Sequence, residues 1–246
     1  MRSGYADGVV WPAPRPDAAR VLVCFGFCGG GTTAYRPWVR TVPPDVDLAL
    51  VCLPGRERRI AEPPAQRWDQ LMDAAVTSVR SVMDRPYLLF GHSMGAWVAY
   101  EVALHVQESR AREPEALVVS ASSPPSRSAE ERRHAPTSRA TDDELLDWMC
   151  RVGQLPVEIV DDPSLRQLAL DLFRADKRAA ESYEFRPGRL VRCPVRRLNG
   201  TDDPDVDPDD DGWAELAAGP VDARRLPGGH FYTAAVWSEL PRYMGL

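Results

Sequence analysis

No apolar run in this 246-residue chain approaches the length that crosses a bilayer, and the opening Met1-Arg2-Ser3-Gly4-Tyr5 lacks the apolar stretch that heads a secretory signal. A cytoplasmic protein is the expectation. Positive charge is also in short supply: 30 lysines and arginines face 36 aspartates and glutamates, for a formal net charge of -6 and a pI near 5.3. That balance argues against a nucleic-acid partner or an anionic membrane surface. Cysteine is sparse, with residues only at positions 24, 28, 52, 150 and 193. An odd number at irregular spacing suits neither a disulfide framework nor paired zinc ligands, and most of the five sit in apolar runs, where a thiol packs as a small hydrophobe. The length suffices for one sizeable α/β core and is short for two, so residues 1-246 read as a single domain.

What the chain does have is organised around Tyr87 to Glu101. The apolar run Tyr87-Leu88-Leu89-Phe90 meets Gly91-His92-Ser93-Met94-Gly95 and passes into an amphipathic segment, which reads as strand, tight turn and helix. In that context G-x-S-x-G is a nucleophile elbow, whose glycines leave room for a strained turn that lifts a serine hydroxyl clear of the backbone. Ser93 is therefore the candidate nucleophile. The Met94 amide, at the helix start, is placed to donate to a developing negative oxygen. The plainer alternative is a glycine-rich connection with no chemistry.

Residues up to about Asp17, with Pro12, Pro14 and Pro16 around Trp11, form an extended lead-in. Val21 to Phe25 is a continuous apolar run suited to a fully buried strand. The loop Phe27 to Ala34 then admits two readings. Gly29-x-Gly31-x-x-Ala34 satisfies a relaxed dinucleotide fingerprint, with Arg56 past the next strand placed for a 2'-phosphate, as in an NADP-dependent reductase. Alternatively the loop supplies half of an oxyanion hole through the backbone amide of Cys28. The presence of Ser93 favours the second. Asp47 to Leu53 is a further strand, and Arg56-Glu57-Arg58-Arg59 behind it is either a solvated, internally paired face or a phosphate contact at the mouth of a site. Apolar residues from Trp68 to Val82 recur at helical spacing within a helix over Arg67 to Met83, and Ala116 to Ala121 is the next strand.

From Ser122 to about Arg189 two helical patterns follow one another with no strand between, so 123-189 reads as an inserted helical lid. Thr141-x-x-Glu144 is a capping box, and Asp162-Pro163 starts the second helix, whose apolar face is marked by Leu165, Leu168, Leu172, Phe173 and Tyr183. His134, within a charged run, reads as a surface residue. Pro194 to Leu198 is a strand that delivers Asp202 and Asp203 at its carboxyl end, where a triad acid belongs. Asp207-x-Asp209-x-Asp211-Gly212 imitates a calcium loop, but Ala218 stands where a bidentate Glu is required, so no metal is expected. After a last strand, Val221 to Leu226, Pro227-Gly228-Gly229-His230 is expected to open the final helix. Serine, aspartate and histidine in that order is the α/β-hydrolase order.

With these residues in hand the chain resembles, nearly end to end, the type II thioesterases that accompany modular polyketide and nonribosomal peptide synthetases. The matching features include the glycine loop with Tyr35-Arg36-Pro37-Trp38, Pro54-Gly55-Arg56 with Arg59, the elbow, the Thr141 to Trp148 helix, Arg174-Ala175-Asp176 through Tyr183, Cys193-Pro194-Val195, the Gly200 to Pro204 turn and Gly228-Gly229-His230-Phe231. The resemblance implies an α/β-hydrolase fold: a mostly parallel central sheet flanked by helices, with an inserted helical lid. It implies Ser93 as nucleophile, Asp203 as acid with Asp202 the second candidate, His230 as base, and the Cys28 and Met94 amides as oxyanion hole. It implies no cofactor, and as partner an acyl- or peptidyl-carrier protein bearing a phosphopantetheine arm. Arg56, Arg58 and Arg59 are the candidates for the arm's phosphate or the carrier's acidic helix, and Leu145, Trp148, Met149, Leu168 and Phe173 for an acyl channel. A serine esterase or acyltransferase, the reductase and a non-catalytic carrier-binding protein are the other readings.

Overall fold

The continuous apolar runs become the inner strands of a sheet in the computed structural model, which describes residues 8–127, 135–207 and 209–246. His134 lies outside the described residues. Among the latter, seven strands, β1 (Val9–Val10), β2 (Arg20–Phe25), β3 (Val46–Val51), β4 (Tyr87–His92), β5 (Ala116–Ser120), β6 (Val195–Gly200) and β7 (Val221–Leu226), align in the order β1-β3-β2-β4-β5-β6-β7. Every neighbouring pair is parallel except β1 with β3.

Alternate side chains of a strand face opposite ways, and here both faces are covered. Val21, Val23, Phe25 and Leu89 pack with Leu71, Ala75 and Val79 of α1 (Trp68–Arg80) and with the small residues of α2 (Met94–Glu108). Leu22, Cys24, Phe90 and Val118 pack on the other side with Tyr35 and Trp38 of a 3-10 segment, Thr32–Arg40, and with Val236 of α6 (Ala234–Glu239). This explains why β2 to β5 read as unbroken apolar runs instead of alternating ones.

Between β5 and β6 the described residues form three helices, α3 (Asp142–Arg151), α4 (Val157–Asp161) and α5 (Pro163–Glu181), where two were expected. The expected capping box is present: the Glu144 amide donates to Thr141 Oγ1 at 3.3 Å and the Thr141 amide to Glu144 Oε2 at 2.8 Å. Asp162 caps α5, accepting from the amides of Ser164 and Leu165. The apolar face assigned to α5 needs correction. Leu170, Phe173 and Ala179 are buried, whereas Leu165 and Leu168 are 43% and 47% exposed. Leu168, five residues from Phe173 and so about 140° around the helix, falls on another side, and Leu165 lies in the exposed first turn.

Candidate active site

The elbow is built from strand, turn and helix in immediate succession. β4 ends at His92, Ser93 takes φ 55° and ψ -122°, and α2 begins at Met94. Such a conformation costs a non-glycine residue about 1–3 kcal/mol and persists only where its surroundings over-determine it. They do so here, since the Ser93 amide donates to Ser120 O of the adjacent strand at 2.8 Å. The flanking glycines are dictated by contact: a Cβ on Gly91 would lie 2.0 Å from Gly95 O, and one on Gly95 would lie 2.5 Å from Phe25 O.

The carboxyl ends of β6 and β7 bring Asp203 and His230 together. His230 Nδ1 lies 3.0 Å from Asp203 Oδ2, with the histidine buried and the aspartate side chain wholly so. Asp203 Oδ1 accepts the Asp205 amide at 2.9 Å, which orients the carboxylate. An ionised carboxylate only accepts, so Nδ1 carries the proton and Nε2 is left for other work. The Asp202 carboxylate, by contrast, is exposed and, among the described residues, meets the hydroxyl of Thr201 at 3.3 Å. A further carboxylate, Asp205 Oδ2, stands 4.0 Å from His230 Nδ1. The expectation that His230 opens the last helix is corrected: it sits in the turn beyond Gly228, and α6 starts four residues later behind the cap Thr233. Gly228, at φ 110°, shapes that turn.

Ser93 and His230 line one cavity of about 130 Å³ together with Cys28 and Met94. The two sulfur side chains touch, Cys28 Sγ to Met94 Sδ at 3.5 Å. Burial pushes the Cys28 thiol up to about 12, so it stays protonated at neutral pH and lacks the thiolate that makes a cysteine nucleophilic. Trp97, Trp148 and Phe173 form apolar walls, the Trp148 ring standing 6.2 Å from that of His230 and 5.5 Å from that of Phe173. Met149 and Leu145 are buried behind the lining, and Leu168 is exposed away from it. Lys177, the chain's single lysine, and Asp205 also reach the cavity.

The arginines assigned to a phosphate stand elsewhere: none lines the cavity, and Arg58 and Arg59 border a separate groove beside β1. Arg56 is 4% exposed, and its guanidinium grips both oxygens of Asp176 at 2.7 and 3.0 Å, so it is no mouth residue and no 2'-phosphate contact. Arg59 clasps Glu62 at 2.6 Å and donates to Cys52 O, in a groove beside β1. Both charges are committed internally.

Sequence reasoning missed the surroundings of His92. The Tyr232 hydroxyl donates to Leu198 O at 2.8 Å, so it accepts from Ser120 Oγ at 2.7 Å, and Ser120 in turn accepts from His92 Nδ1 at 3.0 Å. That leaves Nε2 of His92 bare among the rings of Phe27, Phe231 and Trp237. Burial, with His230 a lesser cause, holds the His92 imidazole well below its usual range and therefore neutral. The available signal was a polar ring at the end of a wholly apolar strand, which demands a partner.

A model of the thioesterase domain family matches residues 20–242. The chain belongs to the thioesterase family. This thioesterase is 32% identical to the thioesterase PikA5 of Streptomyces venezuelae, over 92% of this chain and 80% of that one. It is 29% identical to the medium-chain S-acyl fatty acid synthase thioesterase of Rattus norvegicus, over 89% and 83% of the two chains. Among solved structures, the type II thioesterase BorB of the borrelidin biosynthetic cluster superposes with a TM-score of 0.82 at 32% identity, covering 98% of this chain and 99% of that one. RedJ, of the prodiginine pathway in Streptomyces coelicolor, superposes with a TM-score of 0.80 at 29% identity, covering 94% and 90%. The thioesterase therefore has the α/β-hydrolase fold and is a serine hydrolase by family. No described helix is long and apolar enough to cross a membrane.

Proposed function

We propose that this thioesterase hydrolyses acyl units from the phosphopantetheine arm of an acyl- or peptidyl-carrier protein, clearing stalled or misprimed units in polyketide or nonribosomal peptide assembly in the cytoplasm. The observation that carries the reading is a left-handed serine at a strand-to-helix turn, sharing a cavity with a histidine whose far nitrogen is bonded to a buried carboxylate. Ser93 Oγ attacks the thioester carbonyl while His230 Nε2 takes its proton, and Asp203 holds the tautomer and stabilises the imidazolium. The amides of Cys28 and Met94 receive the oxyanion. Collapse breaks the C–S bond, the thiolate leaves with the proton from His230, and water repeats the sequence on the acyl-serine to release the acid. The thiolate departs readily, so the demand falls on the nucleophile and the hole.

Trp148 and Phe173 serve as walls for the acyl chain in this reading. The type II thioesterases it resembles support a carrier partner. At equal acyl length, kcat/KM should run highest on acyl-carrier, lower on acyl-CoA and acyl-N-acetylcysteamine, and lowest on the matched oxygen ester. Equal rates on the oxygen ester would favour a general esterase, and equal rates on carrier and short thiols would remove the partner.

Residues 123–189 act, in the same reading, as a helical lid, supported by three helices with apolar faces inserted between two paired strands. Amides of α3, α4 and the first half of α5 should exchange faster than those of β2, β4 and β5. Equal protection by mass-resolved hydrogen exchange would leave no mobile lid.

A further inference from the structure

The glycine loop after β2 is held by groups far away in sequence. Gly30 donates to Phe27 O at 2.8 Å, and Gly29 lies between them at φ 71°, a tight turn whose third position needs glycine. Both polar atoms of the peptide joining Cys28 to Gly29 are then bonded to the helical insertion. Cys28 O accepts from Gln154 Nε2 at 2.8 Å, and the Gly29 amide donates to Asp176 Oδ2 at 2.8 Å.

Each anchor is itself built in. Gln154 follows α3, where Gly153 at φ 78° sends its amide to Cys150 O and the Gln154 amide returns to Met149 O, the two bonds of a Schellman stop. Asp176, on the buried face of α5, is wholly buried and paired with Arg56, which also donates to Gly30 O at 2.7 Å. Glu57, the next residue along, accepts from Thr32 and Thr33, so Arg56 and Glu57 both hold the loop.

A peptide unit is planar, so fixing its carbonyl fixes its N–H. The N–H of Cys28 belongs to the unit whose carbonyl, Phe27 O, is held by Gly30, and the next unit is held by Gln154 and Asp176. Cys28 is thereby fastened between two anchored planes. Displacing a donor from its aim forfeits much of its transition-state stabilisation.

We infer that Gln154 and Asp176, the latter through its buried pair with Arg56, are positioning residues for the Cys28 oxyanion donor, and that the hole is complete only while α3 and α5 are seated on the glycine loop. The inference rests on the proposed role of the Cys28 amide. Its test uses Gln154→Ala, at a half-exposed position that tolerates truncation, alongside Asp176→Asn. For Gln154→Ala, kcat should fall about 10- to 30-fold with KM changed less than about twofold, a fraction of what a whole oxyanion donor supplies. Affinity for a substrate-like boronic acid, whose tetrahedral anion occupies the hole, should fall in step, and affinity for a non-hydrolysable thioether analogue should hold. Asp176→Asn, provided it melts cooperatively, should show the same split with a larger loss. Should Gln154→Ala keep wild-type kcat, or weaken both ligands equally, the inference is overturned. Fluorophosphonate labelling separates it from the reading beneath: a wild type that neither labels nor turns over removes both, whereas a competent wild type matched by Gln154→Ala removes this inference alone.

Discussion

Ser93→Ala should lower turnover of an acyl thioester by roughly 10⁴- to 10⁶-fold while leaving substrate affinity nearly unchanged, the size of effect seen when a triad loses its nucleophile. In the proposed mechanism alanine removes the oxygen that forms the acyl-enzyme, so what would survive is attack by water with help from the hole. The substitution also relieves nothing in the fold, because φ 55° is as awkward for alanine as for serine and the Ser93 to Ser120 backbone bond remains. Intact-mass detection of a fluorophosphonate adduct gives the complementary result. The wild type should gain one adduct and Ser93→Ala none, and an adduct on the variant would mean that the nucleophile lies elsewhere.

Asp203→Asn is expected to cost about 10⁴-fold in kcat with little change in stability, because an amide next to Nδ1 turns its N–H toward the ring and selects the wrong tautomer. Nε2 would then carry a proton and could not accept the one from Ser93. Asp202→Asn, altering an exposed carboxylate that meets Thr201, should stay within about threefold, as surface substitutions do. Steady-state kinetics on the two variants side by side decides the matter, and the reverse ranking would overturn the assignment of Asp203. Asp205, 4.0 Å from the ring, is too far to bond to it directly, so the loss should remain large.

Much of this was legible in the residues because local pattern and global position agree. The runs in β2 to β5 announce strands covered on both faces, and the elbow announces itself through glycines that contact makes obligatory. Where the reading failed, the missing information was non-local. Val9–Val10 is too short for a period, and becomes a strand only because it meets Leu50 and Val51. Arg56 looked like a surface cation among three arginines, since nothing near it in sequence reveals Asp176, 120 residues on. The bonds of His92 reach Ser120, and through it Tyr232, across 28 and 112 residues. Leu165 and Leu168 satisfy a helical spacing, but the first lies in the exposed first turn of α5 and the second on a side other than the one Phe173 buries. The turn carrying His230 reads locally as a helix start, but the cap, Thr233, lies three residues further along.

The contact of Gln154 and Asp176 with the glycine loop sets a rule for anyone recombining relatives of this protein. Transplanting the segment between β5 and β6 from another member, in order to alter acyl preference, would exchange both anchors of a loop that stays behind in the recipient. A graft that fits the sheet and fills the cavity would still fail if the donor segment lacked an acceptor opposite Gly29 or a donor opposite Cys28, and the failure would look like poor chemistry in a well-folded chimera. Arg56 has to travel with Asp176 for the same reason, since either one alone would leave an uncompensated charge in the interior.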